Sequence, residues 1–251
     1  MQNALLVGLS RQVALARELD VVANNIANIN TTGFKADGSL FEEYLTSPAR
    51  ADQTGARVSY VRDRGTWHDL SPGAIEKTGN PLDIAVDGNA FLVVQTQRGE
   101  RYTRNGALQI NNTGQLVTSD GNQVIGDSGP ITFQPNDRNI QISRDGTISV
   151  QEGTSKVDSA RGRLRLVSFD NAQQLQKDGS STFKPAGNAQ PQDTKDSGIA
   201  QGVVEKSNVR GVVEMSRMIE ITRSYTQVAT MLQQQNDLSQ QAINKLADVP
   251  N

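Results

Sequence analysis

Histidine occurs once in the 251 residues, as His68 between Trp67 and Asp69, and cysteine is absent. A Ser-His-Asp hydrolase would have to use His68 as its base, and no Gly-x-Ser-x-Gly turn offers it a serine. One histidine without cysteine cannot supply a typical zinc ligand set. Thiolate chemistry and disulfides are excluded. His68 therefore reads as a surface or turn residue. Neither Gly-x-x-x-x-Gly-Lys-Ser/Thr nor Gly-x-Gly-x-x-Gly occurs, so no phosphate or dinucleotide cradle is coded. Asp137 and Asp145 lie near each other but lack the spacing of a calcium loop. Carboxylate chemistry remains: 27 acidic residues permit a general acid facing a second carboxylate, as in a glycosidase, but no spacing singles out a pair. Asn111-Asn112-Thr113 has the form of a glycosylation acceptor and equally of a turn. The residues thus single out no catalytic, metal, cofactor or small-molecule site.

The most unusual stretch is Ala23-Asn24-Asn25-Ile26-Ala27-Asn28-Ile29-Asn30-Thr31-Thr32-Gly33-Phe34-Lys35. Asparagine side chains compete for backbone hydrogen bonds and weaken a helix. Yet Leu15, Leu19, Val22, Ile26 and Ile29 recur at steps of four, three, four and three, an apolar seam of helical period. Leu6, Leu9, Val13 and Ala16 form a second stripe beside it. The pattern predicts a helix over 4–31 with more apolar surface than one partner helix covers. Gly33 reads as the left-handed residue of a Schellman cap, with Phe34 packed on Ile29.

Residues 36–78 read as an irregular linker with short extended segments. Phe41, Tyr44 and Leu45 would continue a short helix beyond Gly38, Ser47 to Gly55 has loop composition, and Val58, Tyr60 and Trp67 suggest an extended piece. Residues 79–200 read as a β-rich domain. Ile84 and Val86 alternate with Asp83, Ala85 and Asp87, and Phe91-Leu92-Val93-Val94 is a short buried run. Gly99, Gly106, Gly114 and Gly121 punctuate strand-length segments, and Arg144-Asp145-Gly146 marks a hairpin turn. Such spacing implies an antiparallel meander, sandwich or small barrel. Residues 171–200 are polar and are expected to loop over that body. Residues 201–251 carry the last helix, expected over 208–248. Met218, Ile221, Tyr225, Val228, Leu232, Ala242 and Leu246 fall on one heptad seam, with Gln235 and Ser239 as polar interruptions. The fold class is mixed α and β, a β-rich centre with N- and C-terminal helices packed as a coiled coil.

Twenty-five basic and 27 acidic residues give a formal charge of −2, which implies no nucleic-acid partner. No run of 18 apolar residues is present, so no membrane insertion is expected. Gln2 and Asn3 stand where a signal peptide would carry basic residues, which alone points to the cytoplasm.

The string Asn24-Asn25-Ile26-Ala27-Asn28, followed by Asn30-Thr31 and Gly33-Phe34-Lys35, resembles the N-terminal signature of bacterial flagellar rod and hook proteins. Asp83-Ile84-Ala85-Val86-Asp87-Gly88, Tyr102-Thr103-Arg104-Asn105-Gly106 and Gly114-Gln115-Leu116-Val117-Thr118 resemble its central motifs. Ser207-Asn208-Val209, Met218-Ile219 and Arg223-Ser224-Tyr225 resemble its C-terminal signature. Val124 to Ile131 is more similar to proximal than to distal rod members. Ala90 stands where relatives often carry a second glycine, and Thr226 where they often carry Glu. The resemblance implies that 1–35 and 201–251 are the helices of a rod core. It implies a structural, non-enzymatic subunit of the proximal rod in the basal body, assembling with other rod proteins and copies of itself into a torque-transmitting shaft. It further implies a periplasmic position, reached through the flagellar export apparatus without a cleaved signal peptide. A distal rod or hook subunit is the alternative inside the family; a sugar-binding module or glycosidase is the alternative outside it.

Overall fold

The computed structural model describes residues 2–45, 59–179, 181–194 and 197–247. The loop expected around Ser47 to Gly55 and the extended residue Val58 lie outside the described residues, as do the side chains of Tyr44, Leu45, Tyr60 and Leu246. Helix α1 (Gln2–Ala27) opens the chain, followed by β1 (Asp37–Leu45) and β2 (Ser59–His68). Next come β3 (Ile75–Lys77), β4 (Ile84–Asp87), β5 (Phe91–Thr96), β6 (Gly99–Thr103), β7 (Leu108–Ile110), β8 (Leu116–Thr118), β9 (Gln123–Gly126) and β10 (Gly129–Pro130). A meander of β11 (Asp137–Ile142), β12 (Thr147–Glu152) and β13 (Asp158–Arg163) leads to β14 (Leu166–Ser168), β15 (Leu175–Lys177) and β16 (Thr182–Pro185). The last strands are β17 (Gln192–Asp193), β18 (Gly198–Gln201) and β19 (Val203–Glu205), before helix α2 (Gly211–Ala247). The architecture is mixed, with a β-rich centre between two terminal helices.

The chain divides into two compact units. One holds Met1–Ala27, Asp37–His68 and Arg210–Asn251; the other, the body, holds Asn28–Ala36 and Asp69–Val209. The body is built on a ten-stranded antiparallel sheet whose main path runs β15-β16-β6-β5-β9-β8-β7. β5 explains why the sequence there is apolar without alternation. Leu92 and Val94 face one core, with Ile84, Leu116 and Ile148, while Phe91 and Val93 face a second core, with Tyr102, Phe169 and Phe183. A strand buried on both faces reads as a continuous apolar run. The turn at Arg144-Asp145-Gly146 joins β11 to β12, with Gly146 at φ +87°.

Three expectations need correction. Residues 36–78 are not an irregular linker, nor does a helix continue through Phe41: β1 and β2 pair antiparallel over their whole length, from Asp37↔His68 to Leu45↔Ser59. In sequence, the charged residues Glu42, Arg62 and Asp63 interrupt the period-two pattern of the two strands. Residues 171–200 are not one polar loop, since they contribute β15 to β18 and the buried Phe183. The C-terminal helix starts at Gly211 rather than 208, and residues 201–209 belong to the body, where β19 pairs with β3.

In the first unit α1 and α2 lie antiparallel. Gly8 faces Leu232, Glu18 bonds Arg217, and Asn25 bonds Glu214. A Cβ on Gly8 would stand 2.6 Å from a Leu232 methyl carbon, so a larger residue there would displace the Leu232 side chain.

Candidate assembly site

The asparagine-rich motif divides between the two units. Asn25, only 1% exposed, brackets the backbone of Asp37 as a neighbouring strand would. Its Oδ1 accepts from the Asp37 amide at 2.9 Å, and its Nδ2 donates to the Asp37 carbonyl at 2.8 Å. The same Nδ2 reaches Glu214 Oε2 at 3.4 Å, so one amide ties the end of α1, the start of β1 and the start of α2. Beside it, His68 Nδ1 lies 2.6 Å from Asp37 Oδ1, with the ring buried. His68 is thus no surface or turn residue: its partner lies 31 positions away, across the base of the ribbon, invisible to local sequence. Trp67 covers Gly38 so closely that a Cβ there would meet the indole nitrogen at 2.3 Å.

The helix does not run to Gly33. It ends at Ala27, where the Asn28 carbonyl accepts from the Thr31 amide and its Oδ1 faces the Thr31 hydroxyl. The helix thus ends four residues before the expected 31, in a turn closed by Asn28 and Thr31. Gly33 is left-handed, at φ +68°, but is no Schellman cap. Its amide donates to the carbonyl of Glu205 at 2.7 Å instead of to a helix carbonyl. A Cβ on Gly33 would come within 2.4 Å of backbone atoms of Arg104 and Asn105. Phe34 is buried in the body, with the Lys177 ammonium 3.8 Å from its ring centre.

Lys35 then enters a buried charge cluster. Its Nζ donates to Glu205 Oε1 at 2.5 Å and to the Ser71 carbonyl at 2.7 Å. Glu205 also accepts from the Gly73 amide at 2.9 Å and from Arg104 Nη1 at 3.5 Å. Arg104 donates further to the carbonyls of Val86 and Gly88, and its guanidinium lies 5.2 Å from the Phe91 ring centre. Burial pushes both cations below their ordinary pKa values, opposed chiefly by the Glu205 carboxylate. Asn208 completes the joint: its Oδ1 accepts from the Ala36 amide and its Nδ2 donates to the Asp69 carbonyl. Sequence reasoning missed Glu205, although an acid directly after Val203-Val204 on a short strand was a usable signal.

The remaining motif residues are more open. Ile26, Asn28 and Thr31 are half-buried; Asn24, Ala27 and Asn30 are exposed. On α2, Ile221 is buried, Met218, Tyr225, Val228 and Leu232 are half-buried, and Ala242 is exposed. The half-buried stripe instead continues through Gln235 and Ser239. Among the described residues, fifteen large hydrophobic side chains are exposed, and α1 and α2 carry ten of them. No three His, Cys, Asp or Glu side chains cluster as metal ligands, and no helix is long and apolar enough to cross a membrane, among the described residues.

Two helices tied antiparallel through amide and ion-pair contacts, with apolar side chains on their outward faces, describe a part made to be packed among others rather than a pocket for a substrate. The chain belongs to the flagellar basal-body rod protein family. Residues 5–35 match the family described as flagella basal body rod protein, residues 85–150 the flagellar hook protein FlgE/F/G D1 domain, and residues 200–245 the flagellar basal body rod FlgEFG protein C-terminal. It is 40% identical to the flagellar basal-body rod protein FlgF of Caulobacter vibrioides, across 99% of this chain and 100% of that protein. It is 35% identical to FlgF of Mesorhizobium japonicum, across 98% of each, and 30% identical to FlgG of Bacillus subtilis, across 97% and 99%. It is a FlgF-like, structural and non-enzymatic rod subunit of the flagellar basal body.

Proposed function

We propose that this chain builds the proximal segment of the rod, packing with other rod proteins and with copies of itself into a helical shaft that transmits torque. In this reading α1 and α2 form an antiparallel coiled coil, and their outward faces are buried only on assembly. The chain leaves the cytoplasm through the flagellar export apparatus and works in the periplasm, as the family resemblance implies. One observation carries the reading: among the described residues, ten of the fifteen exposed large hydrophobic side chains lie on the two helices, whereas the body exposes three, Ile75, Ile110 and Val157. Contiguous apolar surface on a monomer marks a contact site. The test is to label the full-length chain in a motile strain and locate the label by tomography of isolated basal bodies. Density at the inner-membrane end of the rod supports the proximal assignment. Density at the hook end overturns it in favour of a distal one.

A further inference from the structure

Asn111-Asn112-Thr113, the stretch with the form of a glycosylation acceptor, lies in the turn between β7 and β8. Its first side chain is spent on that turn. Asn111 Oδ1 accepts from the Thr113 amide at 3.0 Å, the Thr113 hydroxyl at 2.7 Å and the Gln115 amide at 2.9 Å. An asparagine used in this way fixes the backbone that follows it. Asn112 is left exposed, and it lines a cleft of about 450 Å³ in the body.

The other lining segment is the loop between β10 and β11, and it is held as firmly. Asp137 Oδ2 accepts from the Gln134 amide at 2.8 Å, and the Asp137 amide donates to the Gln134 carbonyl at 3.0 Å. The Phe133 amide donates to the Gly114 carbonyl at 2.7 Å and so fastens this loop to the turn. Gly114 is left-handed, at φ +79°, and a Cβ there would stand 2.5 Å from the Phe133 carbonyl oxygen. Glycine thus lets the two segments approach this closely. The cleft is framed by backbone that is already ordered, so a ligand would not have to organise it.

Its surface has two characters. Ile110, Pro135 and Ile140 supply an apolar lining. Ile110 is 37% exposed and is one of the three large hydrophobic side chains that the body leaves open. Asn112 and Gln134 supply carboxamides, one from each segment. Both side chains are exposed and, among the described residues, bond to nothing. The one charged lining residue is Asp137, and its carboxylate is spent: Arg161 donates to Oδ1 at 2.6 Å and to Oδ2 at 2.7 Å. No uncompensated cation is offered to a phosphate or a carboxylate, and no free carboxylate to a cation.

Such a lining selects a neutral ligand with one apolar face and a hydrogen-bonding edge. A carboxamide holds a donor and an acceptor side by side, and neighbouring ring hydroxyls each donate and accept. A sugar ring also turns a face of C–H bonds to its surroundings. A concave site with an apolar lining and few convergent polar groups is the common form of a small-ligand site. We propose that this cleft binds a neutral oligosaccharide, with Ile110, Pro135 and Ile140 against the ring face and Asn112 and Gln134 on its hydroxyls. The chemistry is common to the amino-sugar strands of a cell wall and to soluble glucans. The site lies wholly in the body and uses no residue of α1 or α2. It therefore stands apart from the rod-subunit reading, which survives if the cleft binds nothing.

The test is a titration of the isotope-labelled, full-length chain, followed by the amide resonances. Triacetylchitotriose and maltotriose are added separately to about 10 mM, a range that covers weak binding. The amides of Asn112, Gly114, Gln134 and Ile140 should move saturably with at least one of the two. Movement with triacetylchitotriose alone assigns the amino-sugar strand of a cell wall as the source. Movement with maltotriose assigns neutral glycans at large. No movement with either sugar overturns the proposal. Asn112→Ala and Gln134→Ala should each raise the Kd roughly tenfold, because each removes the hydrogen bonds of one carboxamide. Asn122→Ala, in the turn between β8 and β9 and outside the cleft, should leave it unchanged. Asn112 and Gln134 are exposed, so circular dichroism of both variants should match wild type. An unchanged Kd in both lining variants overturns the site. Equal movement with inorganic phosphate or with a proline-rich peptide overturns the ligand class.

Discussion

Replacing Glu205 by Gln preserves the size of the side chain and removes its charge. Glu205 is 1% exposed and stands between Lys35 and Arg104, whose side chains are 1% and 4% exposed. The wild-type cluster holds two cations and one anion. The glutamine variant holds two cations and no counter-ion in the same dry space. Removing one partner of a buried ion pair costs about 3–5 kcal/mol. Lys35→Met acts in the opposite sense. It leaves Arg104 paired with Glu205, which still accepts from the Gly73 amide, and the cluster becomes neutral. The losses are the Lys35 hydrogen bonds to Glu205 and Ser71, about 1–3 kcal/mol, offset by no longer burying an ammonium. Glu205→Gln should therefore be less stable than Lys35→Met by about 2 kcal/mol or more. Urea titration of the full-length variants, read by amide exchange in β4 and β18, follows the body alone. If Lys35→Met is as damaging as Glu205→Gln, the charge count does not govern this joint.

Three further outcomes are expected. Gly33→Ala should cost more than the roughly 1–2 kcal/mol of a left-handed backbone, because the new Cβ meets backbone rather than a yielding side chain; Gly33→Val should cost more still. Equal stability of Gly33→Ala and wild type in thermal unfolding would show that this close approach is absent. Asn25→Ala should cost about 1–3 kcal/mol by removing its two hydrogen bonds to the Asp37 backbone; the emission of Trp67, the single tryptophan, reports the base of the ribbon and should shift. An unchanged spectrum and midpoint would mean that the bracket carries no weight. Hydrogen bonds from Arg161 hold the Asp137 carboxyl below the usual carboxylate range. Its stabilisation is therefore complete above the unfolded value near about 4 and is lost as pH falls through the lower folded value. The stability gap between wild type and Asp137→Asn should close on acidification, and a gap that widens would contradict the sign.

What local pattern encodes was legible. The seam at Leu15, Leu19, Val22 and Ile26 predicted α1, and the run Phe91 to Val94 predicted a short buried run in β-structure. What depends on a distant partner was not. His68 looked like a surface residue because Asp37 is needed to bury it. Gly33 was recognised as left-handed, yet its reason is a neighbouring backbone, not a helix end. Lys35 sat at the end of the motif without a role until Glu205, Arg104 and Ser71 surrounded it. The extended piece at Tyr60 and Trp67 was legible, but β1 read as a continued helix, because its partner strand is needed to fix it as extended.

The joint at Glu205 has a kinetic consequence. Lys35 and Glu205 are 170 positions apart, and β4 takes its partner β18 from Ile84↔Gln201 to Asp87↔Gly198. Contacts between such distant segments form only after a large loop closes, which slows folding. A chain growing from its N-terminus therefore has no counter-ion for Lys35 and no partner for β4 until almost the whole body has been made. Up to that moment every shorter nascent chain lacks the residues that close the structure. Completion of the fold is tied to the last strands before α2.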